Sequence, residues 1–222
     1  GFLVCQKKIN NGMKRELKIR GLKVPPSIIL SHFCDDSRIK DNFNVSFKIW
    51  ENKDEQEQDL ENFDIDLCII PTNLSYNLFN KGYPIKLLCI SVWGILYLMS
   101  RDSDYIDWES FSGKSISIPM KGNMPDTIFK ILAKKNNFNI SKNTSIQYCD
   151  SYLSAKDNLI LGKTELAILP EPYASSAEFE GAKRILNLQK EWGKVFQCKP
   201  RYPQAGVMIR DSFSVNECRL FL

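Results

Sequence analysis

Two apolar runs constrain this chain more than anything else in it. Each opens on an acidic residue, closes on a proline and passes at once into a helix start: Asp66–Pro71 followed by Thr72, and Glu165–Pro170 followed by Glu171. Leu67-Cys68-Ile69-Ile70 has no polar position, which predicts a strand buried on both faces, as in a parallel sheet. Pro71 ends it, because proline has no N–H for the ladder. Thr72 predicts the cap of a helix over 73–80, closed by Lys81-Gly82. The second run repeats the device, with a strand over 165–169 and a helix over 171–179. Strand–helix units of this kind pair in parallel and define an α/β fold.

The rest of the chain fits that frame. Residues 16–24 alternate apolar and polar, as a half-buried strand does. Pro25-Pro26-Ser27 break it, and Ser27 predicts the cap of a helix through Asp35. Further strands are predicted at 47–50, 85–93, 96–100, 115–119, 146–149, 183–188 and 203–210. Helices are predicted at 53–63, 124–136 and 152–161, the second with an apolar stripe of Ile128, Ile131 and Leu132. The two halves rhyme, so two lobes are expected: 15–92 plus 203–222, and 97–200. They would be joined through extended crossovers near 91–97 and 199–206, with 1–14 as a tether.

Charge excludes little and adds little. The net charge is +4, from 30 Lys+Arg against 26 Asp+Glu, too balanced to argue for nucleic acid. Residues 51–66 hold eight acidic side chains and one basic, a solvated helix face. No apolar stretch reaches the ~18 residues of a membrane span. The seven cysteines, at 5, 34, 68, 89, 149, 198 and 218, form no CxxC and no zinc spacing, so no metal site is expected. Cys68 and Cys89 sit in apolar runs and read as core. His32 is the single histidine, with no partner motif for acid–base or nucleophilic catalysis. Cys5 is the exception among the thiols. An apolar scrap ending in cysteine, followed by a polar stretch to Lys14, resembles the end of a bacterial lipoprotein signal peptide, with Cys5 carrying the lipid.

Four segments carry a resemblance to a known family. They are DIDLCIIPTN at 64–73 followed by NKGYPIKLL at 80–88, SVWGILYL at 91–98, SGKSISIPMKGNMPD at 112–126, and LGKTELAILPEPYA at 161–174. In this order the chain resembles the ABC-transporter substrate-binding proteins of the nitrate/sulfonate/taurine and thiamine-pyrimidine type. The resemblance implies a two-lobed periplasmic-binding-protein-like fold of type II that closes on a small molecule by hinge bending. It implies an extracytoplasmic, monomeric solute-binding protein in the periplasm or at the cell surface, with an ABC transporter permease as partner and no cofactor. The family continues past the return crossover with more helices, so C-terminal helices are expected to be missing. The alternatives are a cytoplasmic enzyme on the same fold, of the menaquinone-pathway dehydratase or pyrimidine-synthase type, and a ligand-sensing domain of a transcription regulator.

In open α/β sheets ligands sit beyond the carboxyl ends of the strands, where helix N-termini begin. That picks Pro26 and Ser27 after the first strand, Thr72 and Asn73 at one helix start, and Gly122, Asn123 and Met124 at another. Glu171 follows a strand and is positioned to accept a hydrogen bond or pair with a cation, with Tyr173 beside it. Trp93, flanking Gly94 with Tyr97, offers a ring to stack on. All are expected to line one cleft between the lobes. For each, the competing reading is plain capping or packing.

Overall fold

The computed structural model describes residues 14–51, 53–102, 104 and 106–222, so Cys5 and all but the last residue of the expected tether lie outside the described residues. In chain order the strands are β1 (Arg15–Leu22), β2 (Phe43–Trp50), β3 (Leu67–Pro71), β4 (Ile85–Trp93), β5 (Leu96–Ser100), β6 (Ser115–Pro119), β7 (Ser145–Cys149), β8 (Leu166–Pro170), β9 (Lys183–Asn187) and β10 (Pro203–Arg210). The helices are α1 (Ile28–Asp35), α2 (Ser37–Lys40), α3 (Lys53–Glu61), α4 (Thr72–Asn80), α5 (Met124–Lys135), α6 (Ile140–Asn143), α7 (Tyr152–Ile160), α8 (Tyr173–Phe179), α9 (Leu188–Phe196) and α10 (Val215–Cys218).

The strands form two five-stranded sheets, in the orders β2-β1-β3-β10-β4 and β7-β6-β8-β5-β9. β1 runs parallel to β2 and β3, and β6 runs parallel to β7 and β8. Each of these pairs needs a crossover, and helices supply it. β5 is antiparallel to β8 and β9. By compactness the chain divides into two units. One ends at Ile69 and takes in Met208–Leu222; the other is Ile70–Val207.

In the first unit, Leu17 and Ile19 of β1 are fully buried with Leu30, Ile39 and Leu67. Phe43, Phe213 and Phe221 pack as rings about 6 Å apart. Gly21 fits a close approach here: a Cβ on it would lie 3.0 Å from side-chain atoms of both Leu30 and Ser27. Asp66 ties the sheet together, accepting from the Lys18 N–H at 2.9 Å and pairing with Arg210 at 3.1 Å.

In the second unit β8 is buried on both faces. Leu166 and Ile168 join one core layer with Ile116, Ile118, Phe129 and Leu132. Ala167 and Leu169 face the other, made of Ala155, Leu159, Ala174 and Ala177, where small side chains let α7 and α8 approach. α9 escapes the sequence reading, which places no helix between 188 and 203. Its Glu191 is only 5% exposed and accepts from the Trp108 indole N–H at 3.0 Å. Trp108 itself sits among Phe111, Phe129 and Phe138. Cys68 is core as expected, whereas Cys89 is only half-buried.

Glu191→Ala leaves the Trp108 N–H buried and unpaired, which costs about 1–3 kcal/mol. Urea unfolding checks this. The exposed acid Glu109, changed to Ala, is expected to stay within about 0.5 kcal/mol of wild type.

Candidate ligand-binding site

The turn from β3 into α4 differs in detail from the expected cap. Pro71 holds the N-cap position and Thr72 is already helical, so the Thr72 hydroxyl caps nothing. It donates instead to the Pro203 carbonyl at 2.6 Å and lies 3.7 Å from the Met124 sulfur. Asn73 reaches the same loop, its Nδ2 donating to the Gly122 carbonyl at 2.9 Å. A carbonyl only accepts, so this bond fixes which end of the Asn73 amide is which. The remaining atom, Asn73 Oδ1, is buried without a hydrogen-bond partner.

The loop after β6 is held in a sharp turn. Met120 has φ 55° and Gly122 has φ 81°, both left-handed. The Met120 N–H bonds the Cys149 carbonyl at 2.7 Å, and the Asn123 N–H bonds the Met120 carbonyl at 2.9 Å. Nothing lies within 4 Å of where a Gly122 Cβ would stand. Asn123 is the N-cap of α5, yet its side chain makes no capping bond. The first-turn acid instead reaches back to the loop ahead of the N-cap. Asp126 is 2% exposed, and its Oδ2 accepts from the Gly122 N–H at 2.9 Å and from Lys130 Nζ at 2.8 Å. Its Oδ1 accepts from the Tyr148 hydroxyl at 3.1 Å. The hydrogen bonds to Asp126 and then to Tyr148 push the Lys130 ammonium above the ordinary lysine range.

Thr72, Asn73, Gly122 and Met124 are thus in direct contact, with Asn123 next in the chain. The other expected residues engage different partners. Trp93 is 45% exposed, with the Arg201 guanidinium 4.7 Å from its ring centroid. Glu171 pairs with Arg184 and accepts from the Ser175 N–H and hydroxyl. Arg184 also stacks on Tyr97, 4.3 Å from its centroid. Tyr173 packs on Tyr152 at 5.6 Å. Burial raises the Tyr152 phenol above its ordinary pKa, with the Tyr173 phenol adding to the shift. Pro26 and Ser27 form a 3-10 turn in the other unit; Ser27 makes no capping bond, and its buried Oγ has no partner. Their pairing with the 72–73 or 122–124 loop belongs to the sequence expectation alone.

Asp126, Tyr148, Arg184 and Arg201 escaped the sequence reading. Asp126 carried a signal: an acid three residues beyond Asn123, with Pro125 between, is a helix-start pattern. Among the described residues no group of three or more His, Cys, Asp or Glu is placed to hold a metal ion. Burial pushes the Cys68 thiol up to about 12, so it is no nucleophile at neutral pH. A shallow groove lined by Lys134, Asn137, Ser141 and Thr144 lies at the far end of α5 and is open to solvent. Among the described residues no helix is long and apolar enough to cross a membrane.

The two five-stranded α/β sheets match solved structures of the periplasmic-binding-protein-like fold. An ABC transporter protein from Parabacteroides distasonis matches with TM-score 0.69 and 20% identity, over 89% of this chain and 66% of that one. The ligand-binding component of an ABC-type import system from Staphylococcus aureus, solved with zinc bound, matches with TM-score 0.69 and 15% identity, over 94% and 71%. The periplasmic aliphatic sulphonate binding protein SsuA from Escherichia coli matches with TM-score 0.69 and 13% identity, over 89% and 66%. The chain therefore spans about two thirds of the length of these structures. No protein-family model matches the chain, and no curated protein does.

The Glu171 carboxyl responds to opposing effects. Burial raises it, but the Ser175 hydrogen bonds and Arg184 outweigh burial and hold it below the ordinary carboxylate range. A depressed acid stabilises the fold above its unfolded pKa of about 4.3, and that stability is lost as pH falls through the folded value. Glu171→Gln removes this part of the pH dependence. Urea midpoints of variant and wild type are expected to differ at neutral pH and to converge below the ordinary carboxylate range.

Proposed function

We propose that the chain is the solute-binding component of an ABC importer and that it holds a small molecule at the 71–73 and 122–124 loops. The observation that carries the reading is the Asn73–Gly122 hydrogen bond. It joins the helix-start loop of one sheet to that of the other and leaves Asn73 Oδ1 buried and unpartnered. The fold supports the role, since the matching structures bear the names of transporter binding proteins. Asn123, Glu171, Tyr173 and Trp93 complete the set of proposed ligand contacts, with Pro26 and Ser27. Residues 91–97 and 199–206 are the proposed hinge between lobes of 15–92 plus 203–222 and 97–200. The protein acts outside the cytoplasm as a monomer, tethered through a lipid on Cys5, and delivers its ligand to a permease. It binds and does not catalyse: His32 has no catalytic partner motif, and the buried thiol of Cys68 is held protonated.

A thermal-shift panel of taurine, ethanesulfonate, nitrate, thiamine, hydroxymethylpyrimidine and riboflavin tests this. A ligand at 100 times its Kd adds about 2.7 kcal/mol to stability. Asn73→Ala is expected to weaken the best ligand about tenfold, the size of one hydrogen bond. Mass spectrometry after long incubation should return that ligand unchanged. Protein-dependent product, or no stabilising solute together with none co-purifying, contradicts the proposal.

A further inference from the structure

The loop leading into α5 exposes a bare glycine backbone at Gly122, and in this chain its N–H is already taken. A helix N-terminus carries roughly half a positive charge and offers unpaired N–H groups. Here the N–H that the bare Gly122 backbone would present points at the chain's own carboxylate, Asp126 Oδ2, at 2.9 Å. That carboxylate is 2% exposed, so solvent and salt screen it poorly. Its counter-charge, Lys130, lies 2.8 Å away with its side chain 46% exposed. Lys130 and Lys121, the cations nearest in sequence, both sit over the Tyr148 ring, 5.6 and 5.2 Å from its centroid.

The facing loop points the same way. The Asn73 Nδ2 donates to the Gly122 carbonyl at 2.9 Å and to the Thr127 hydroxyl at 3.5 Å, and its remaining buried atom, Oδ1, is an acceptor. Thr72 has given its proton to the Pro203 carbonyl, so its oxygen too has only lone pairs left. The side chains at this junction therefore offer acceptors, which suit a ligand bringing N–H or O–H groups and repel one bringing lone pairs and negative charge.

We infer that Asp126 is a specificity-determining residue: by holding the Gly122 N–H and setting a buried carboxylate beside it, it excludes oxoanions such as sulfonates from this loop and selects a solute that is uncharged or cationic there. The inference rests on the solute-receptor reading for its biological sense, but the chemistry at Gly122 is testable apart from it.

The test is an amide NMR titration with ethanesulfonate, read at the Gly122 N–H of the whole chain. In wild type that resonance should show no saturable shift. In Asp126→Ala, which frees the N–H, it should shift and saturate. Asp126→Asn, which keeps the shape and removes the charge, should bind at least tenfold more tightly than wild type. The same spectra report whether each variant is folded, and the Asn variant alone decides the matter if the Ala variant is not. A saturable wild-type shift as strong as in the variants overturns the inference, and so do folded variants that stay as flat as wild type. A second readout is the solute panel. Wild type stabilised more by ethanesulfonate or nitrate than by thiamine or hydroxymethylpyrimidine contradicts the selection. If no solute binds wild type at all, the receptor reading fails, while the Gly122 comparison still stands or falls by itself.

Discussion

A strand buried on both faces can do chemistry only at its ends. β8 shows the constraint: Leu166 and Ile168 belong to one core layer, Ala167 and Leu169 to the other, and the strand has no free face to offer a ligand. β3 is likewise apolar throughout, and buried except at Pro71, which is half-buried. Function is thereby pushed to the carboxyl ends, where the chain leaves the sheet and a helix begins. The prolines at 71, 119 and 170 mark these exits, and the expected site residues Thr72, Asn73, Gly122, Asn123, Met124 and Glu171 lie within a few residues of them.

What happens at those exits depends on how each helix start is satisfied. α4 begins behind a proline that cannot cap, so its first side chains are free to reach across to Pro203 and Gly122. α5 begins with an N-cap side chain that makes no bond, and the buried Asp126 reaches back to the loop ahead of it, fixing Gly122 from one side as Asn73 fixes it from the other. At β8 the acid Glu171 is tied to Arg184, which stacks on Tyr97. Binding a cation at Glu171 therefore means competing with an arginine already in place.

Much of the fold was legible because its signals are local. The runs at 67–70 and 165–169, the prolines after them and the stripe of Ile128, Ile131 and Leu132 depend on neighbouring residues alone, and each corresponds to an element found, β8 beginning at Leu166. α9 was missed although a local signal was present: Leu188, Trp192, Val195 and Phe196 fall at i, i+4, i+7 and i+8, the apolar stripe of a helix, and all four pack on the core. The site was legible by position and less so by chemistry. Thr72 and Asn73 stand at a helix start as read, but their hydrogen bonds go to residues 131 and 49 positions distant. Asp126 reads as an ordinary first-turn acid; its bond from the Tyr148 hydroxyl on β7 joins residues 22 positions apart, and no local pattern announces that. Ser27 shows the opposite failure, a good capping residue whose hydroxyl caps nothing because the chain tightens into a 3-10 turn before α1.

The central claim is that the strand-end loops at 71–74 and 120–126 are where a solute is held. Hydrogen exchange followed by mass spectrometry, with and without a saturating solute recovered from the panel, measures it directly. The account predicts slowed exchange in peptides covering those two loops. Protection confined to other segments, such as 137–144 at the far end of α5, with both loops unchanged, would contradict it.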